Sequence, residues 1–342
     1  MGNKKKMLFN VIFLILIFAL TVYGVFHDQN PAEIGRILGT VDLYWLIPGV
    51  ACVCVFIWCE SIIIYYMMKK LGVNISKWKC FLFSSIGFFF SCTTPSASGG
   101  QPAQVYYMKK EKIPIPVSTQ VLLIVTITYK LVLVIIGLGI AIFGQVFIHT
   151  YISDVQWIFY LGLALNVVCV AGMLIFAFHP TIAQGFVVWC TKLLEKMKFI
   201  KKKKSREEKL VASMDKYRET ASYMQGHAGM LLVVFLITVF QRLTLFGSTW
   251  FVYKAFGLSG ASVVLIVLMQ GAIAVAVDML PLPGGMGISE KLFLEMFASV
   301  FGGALLIPGM ILSRGLTYYA ELAISGVFTI LSSLLLGRKI KE

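Results

Sequence analysis

Residues 263–300 form a long apolar stretch interrupted at its centre by DMLPLPGGMGISE, Asp278 to Glu290. Pro281 and Pro283 lack a backbone donor, and Gly284 and Gly285 carry the largest entropic penalty of any residue in a helix. The interruption therefore ends one helix and starts another. At membrane depth, broken backbone is tolerated only where protein or a water-filled cavity satisfies its polar groups. The stretch is thus either a turn or a substrate site, and the rest of the chain has to decide which.

The surroundings do have membrane character. Apolar residues make up 58% of the 342 and charged residues 13%, and the mean hydropathy is +0.86. This predicts an all-α polytopic membrane protein. The formal net charge of +14 does not imply nucleic acid, because the basic residues lie between apolar segments and not on one polar face. The seven cysteines show no zinc spacing, and no disulfide is expected. The four histidines are scattered, so neither a metal site nor a cofactor is implied.

Apolar segments are read at residues 7–26, 43–68, 117–147, 157–178, 230–254 and 307–336 as six full spans. The apolar run Cys80–Cys92 is too short to cross, roughly 20 Å as a helix against a core of about 30 Å. It runs into TTPSASGGQPAQ, with Pro95, Gly99 and Gly100, and then into basic MKKEK. A re-entrant hairpin fits better than two spans. With both termini inside, 24 of the 30 Lys and Arg fall in inner segments, as the positive-inside rule requires. The second broken segment must then enter from the outer face. The whole chain, 1–342, is read as one transmembrane domain. Its parts are the first helix and an external connection (1–42), a first repeat (43–148), a connecting helix with a basic loop (149–227), a second repeat (228–337) and a tail (338–342).

The two halves share an order: span, broken hairpin, long helix. Lys130 lies 30 residues after Gly100, and Arg314 lies 29 after Gly285. Two halves of opposite orientation with discontinuous helices characterise secondary transporters. Ionised side chains at membrane depth cost at least about 2.5–3.5 kcal/mol on insertion scales, so they pair or line a cavity. The bases Lys130, Arg242 and Arg314 and the acids Glu60, Asp278, Glu290 and Glu321 are the ones to place. Lys291 and Glu295 read as structural, near the outer interface. Arg314, Tyr318 and Glu321 are spaced to share a helix face, and so are Gln270 and Asp278. Glu60 is a candidate proton site or a partner for Lys130.

PLPGGMGISE followed by LSRGLTYYAE, with TTPSASGGQPAQVYYMKK upstream, resembles the flippase-like membrane region of lysylphosphatidylglycerol synthases. That region is the hydrophobic half of the multiple peptide resistance factor. The resemblance implies translocation of phospholipids such as aminoacylated phosphatidylglycerol across a bacterial plasma membrane, which blunts cationic antimicrobial peptides. In many relatives an acid follows the first glycine pair, with an arginine three residues later; Gln101 and Gln104 stand there in this chain. Full-length members add a soluble domain that transfers an aminoacyl group from tRNA. No such activity is expected of these 342 residues.

The expected site combines Lys130, Arg314, Arg242, Glu290, Gln101, Gln104 and Tyr318 around a headgroup, with Glu60, Asp278 and Glu321 as coupling or ion-pair groups. A half-helix starting after Gly285 would aim N–H groups at a phosphate. Membrane phospholipids are the expected partners, together with a separate lipid-modifying enzyme or a second copy of the chain. Two other classes compete: a transporter of a small polar solute or ion, and a non-transporting partner that recruits a lipid-modifying enzyme.

Overall fold

The computed structural model describes residues 31–179, 204–335 and a few positions between 181 and 189. The expected first helix at 7–26, most of the basic run around 201–204 and the tail GRKIKE lie outside the described residues. Among the described residues the structure is helical, with no strand. The helices of eight residues or more are α1 (Pro31–Leu38), α2 (Leu43–Lys70), α3 (Lys77–Thr93), α4 (Gly100–Lys110), α5 (Ile115–Phe143), α6 (Gln156–Phe178), α7 (Lys204–Gln225), α8 (Ala228–Ala255), α9 (Val263–Val277), α10 (Ile288–Met296), α11 (Gly303–Arg314) and α12 (Glu321–Leu335). Among the described residues, four segments are long and apolar enough to cross a membrane: 43–70, 115–143, 145–178 and 228–255.

Local chemistry sets the boundaries. The Asp42 carboxylate caps α2 by accepting from Tyr44 N (3.0 Å). The Ser76 hydroxyl does the same for α3 through Lys79 N (3.3 Å), and Ser262 for α9 through Leu265 N (3.1 Å). Proline then follows two of these three helices: Pro95 comes after α3, and Pro281 and Pro283 after α9. Two connections between the predicted spans are themselves helical. Residues 31–38 form α1, which places Ile34 in the core and Arg36 outward. Residues 148–155 are a helical turn that buries Ile148, Ile152 and Val155. In both, a few apolar residues at helical spacing outweigh the polar ones around them. The last predicted span is helical from Gly303 to Leu335, with a wider π turn at Gly315–Ala320 between α11 and α12.

The arms α3 and α4 pack against each other, as do α9 and α10. The first unit leans on α2, α5 and α12, and the second on α8, α5, α6 and α11. Helix α2 packs along α8 at the centre. Lipid tails are as apolar as leucine, so close backbone approach and polar ties hold such helices together. At Gly162 of α6, a Cβ would run into the backbone of Val275 and Ala276 on α9. One turn on, Asn166 Nδ2 donates to Val275 O (3.2 Å). Gly162→Leu should push α6 from α9 and cost about 1–3 kcal/mol by overpacking. Thermal unfolding in detergent checks this, and an unchanged midpoint would show that the contact carries no stability.

Candidate functional site

The breaks between the arms meet. Ser96 Oγ, in the first, donates to Leu280 O in the second (3.2 Å). The paired glycines do different work in the two. In the second break, Gly284 and Gly285 have φ of +56° and +66°, a left-handed backbone that suits glycine. In the first, Ser96 and Ala97 take the positive φ values of 51° and 53°. Gly100 is instead needed for closeness, since a Cβ there would meet Ser91 Oγ and Gly87 O of α3.

Each break is held by a long helix from the other half of the chain. Lys130 Nζ of α5 forms an ion pair with Asp278, the residue that closes α9, and Tyr129 OH donates to the same carboxylate. Tyr318 OH, from the π turn before α12, donates to Cys92 O (3.0 Å) at the end of α3. Glu321 Oε1 accepts from the Cys92 thiol (3.6 Å). The second break is also held from within its own half. Arg314 Nε donates to Glu290 Oε1 (2.8 Å), and Arg314 Nη2 donates to Gly284 O (2.9 Å). Glu290 Oε2 accepts from Gly287 N (2.6 Å), so the start of α10 is capped by a carboxylate of this chain.

The remaining site residues divide clearly. Gln104 is buried and donates to Glu60 Oε1 (2.8 Å) and Phe83 O (3.2 Å). Glu60 therefore partners Gln104, while Lys130 takes Asp278. Gln101 is exposed and donates to Thr126. Arg242 lies over the Tyr129 ring, its guanidinium carbon 3.3 Å from the centroid, with the Phe56 centroid at 5.0 Å. Its charge acts on Glu60 and on Glu321, and its buried Nε has no hydrogen-bond partner. The Arg314 guanidinium stands 4.8 Å from the Tyr318 ring. Lys291 and Glu295 are exposed. Gln270 turns away from Asp278: its Nε2 donates to Thr249 Oγ1 (2.9 Å) and Ser313 Oγ (3.0 Å), which are 2.7 Å apart.

Tyr129, Cys92, Ser96, and the Thr249 and Ser313 that Gln270 meets, are parts of this region that periodicity did not single out. Tyr129 adjoins Lys130, and that adjacency was the available signal. Cys92 contributes mostly through its carbonyl, which no side-chain pattern reports.

The sequence profile of the Lysylphosphatidylglycerol synthase TM region matches residues 7–325. The chain belongs to that family. No curated protein matches it. Family membership and the apolar helices together make it a multi-pass membrane protein. Within this family member, the matched region contains both breaks and every deep charge described above.

Proposed function

We propose that the chain moves the headgroup of an anionic or aminoacylated phospholipid, of the phosphatidylglycerol or lysylphosphatidylglycerol type, between membrane leaflets. In this reading the two arm-break-arm units are re-entrant hairpins within six spans, related as inverted repeats. The packing supports it: α3 leans on α2 and on α12 of the opposite half, while α9 leans on α8 and on α5 of the opposite half. The membrane is the bacterial plasma membrane, with both chain termini on the cytoplasmic side.

One observation carries the reading. Three bases from three separate helices, Lys130, Arg242 and Arg314, gather about two touching helix breaks, and one of them keeps an unpartnered donor. Broken backbone at membrane depth calls for a polar, protein-lined path. A phosphate entering there meets the Arg242 Nε donor first, because Lys130 and Arg314 already hold Asp278 and Glu290. Gln104 and Tyr318 line the neighbouring walls, and Gln101 stands at the exposed edge. The acyl chains stay in lipid. Rocking of one repeat against the other then opens the path to either side. Lower negative charge on the outer leaflet, and hence resistance to cationic antimicrobial peptides, follows from an exchange that leaves fewer anionic headgroups there. The partners in this reading are membrane phospholipids, with a separate lipid-modifying enzyme supplying the aminoacylated cargo.

The test uses fluorescent phosphatidylglycerol in proteoliposomes, with an impermeant quencher outside. The parent should quench beyond the outer-leaflet fraction. Arg242→Gln should slow that phase at least about tenfold, the effect of losing roughly 1.4 kcal/mol of barrier stabilisation. Vesicles with parent protein that behave like empty ones would end the proposal.

A further inference from the structure

The deep charges do not balance one to one. Asp278 has Lys130, and Glu290 has Arg314. Glu60 and Glu321 have no ion pair of their own among the described residues, and the Arg242 charge acts on both. Glu60 faces the Gln104 amide from α4 and Arg242 from α8. Glu321 faces the Cys92 thiol from α3, Arg242 from α8, Arg314 from α11 and Glu60 itself from α2. Tyr129 of α5 stacks on the shared guanidinium and is acted on by Asp278 and Glu321. Two carboxylates about one guanidinium leave one negative charge uncompensated in a buried place, and such charges are avoided at membrane depth.

These two carboxylates also hold the first hairpin by its two arms. Glu60 grips α4 through Gln104, and Glu321 grips α3 through Cys92. A hydrogen bond to a neutral carboxyl group is roughly half as strong as one to a carboxylate. A proton on either acid therefore loosens one arm and leaves Arg242 balanced by a single carboxylate. The guanidinium can then turn its free Nε donor to an incoming phosphate.

We infer that the Glu60–Glu321 pair takes up one proton with each headgroup phosphate, so that lipid translocation and proton translocation are coupled in the same direction. The proton comes from water on one side, forms an O–H bond on a glutamate oxygen and returns to water on the other side with the lipid. This rests on the translocation reading above and adds its driving force: where the outside is the acid side, the coupling draws anionic lipid from the outer to the inner leaflet.

The experiment imposes a pH step of one unit across proteoliposomes that carry fluorescent phosphatidylglycerol, with the membrane potential clamped by potassium and valinomycin. For one proton per lipid, the labelled lipid should accumulate in the leaflet facing the alkaline side, up to about tenfold per pH unit. Glu60→Gln and Glu321→Gln should hold the leaflet ratio at unity, while Glu60→Asp and Glu321→Asp, which keep a titratable group, should retain a bias. Infrared spectroscopy of the purified protein should show a titrating carboxyl stretch that each Gln variant diminishes. Translocation by the parent that ignores the gradient overturns the coupling and leaves translocation standing. Accumulation toward the acid side overturns shared direction, and a bias that survives in both Gln variants overturns the assignment to these residues. A parent that moves no lipid overturns the translocation reading and the coupling with it.

Discussion

Asp278→Ala should destabilise the protein by about 3–5 kcal/mol, because it leaves the Lys130 ammonium buried without its counter-charge. Both side chains are close to 90% buried, with relative exposures of 11% and 10%. Tyr129 OH loses its acceptor as well. A double replacement, Lys130→Met with Asp278→Leu, removes both charges and should recover most of that loss, since apolar groups of similar size often replace a buried pair without penalty. Translocation should not return with stability, because α5 would then hold the second break only by packing. Thermal unfolding in detergent, run on Lys130→Met, Asp278→Leu and the double, gives the coupling energy directly. If the double lost the sum of what the two singles lose, the pair would not be the tie described.

Gly284→Ala should be the most disruptive single methyl group in the chain. Its φ of +56° disfavours an L side chain, by roughly 1–2 kcal/mol. The larger effect is steric, because the added Cβ falls on the Tyr318 ring. That ring cannot retreat freely, since its hydroxyl is tied to Cys92 O and its face lies beside the Arg314 guanidinium. One methyl group would thus disturb both breaks together. The expected result is a sharp fall in monodisperse protein on size exclusion and no measurable lipid exchange. Tyr318→Phe, which removes a single hydrogen bond, should cost only about 1 kcal/mol. Comparable behaviour of the two variants would show that the hydroxyl, and not the ring's position, is what matters.

Much of this was open to inspection in the residues themselves. Apolar runs of membrane length and the basic residues between them announce an all-helical membrane protein. The motifs PLPGGMGISE and LSRGLTYYAE point to the family that the profile of residues 7–325 establishes. The interruptions were legible because proline removes a donor wherever it stands, whatever lies nearby. The apolar run 263–277 coincides with α9, which starts at the Ser262 cap and ends shortly before Pro281. Residues 31–38 and 148–155 were less legible, since their few apolar residues count only once a neighbouring helix gives them a surface to cover.

Pairing is where the residues alone fell silent. Lys130 could have met Glu60 or Asp278, and only the packing of α9 against α5 brings Asp278 to it while Gln104 takes Glu60. The two glycine pairs look alike in sequence. One answers a left-handed backbone at Gly284, and the other a close approach of arms at Gly100. The charge count had the same limit. The acids and bases can be counted from the letters, but that two acids are left to share Arg242 depends on which side chains meet. Backbone chemistry is local and can be read in order along the chain; ion pairing can join residues as distant as Lys130 and Asp278, 148 positions apart, and geometry alone chooses among the partners.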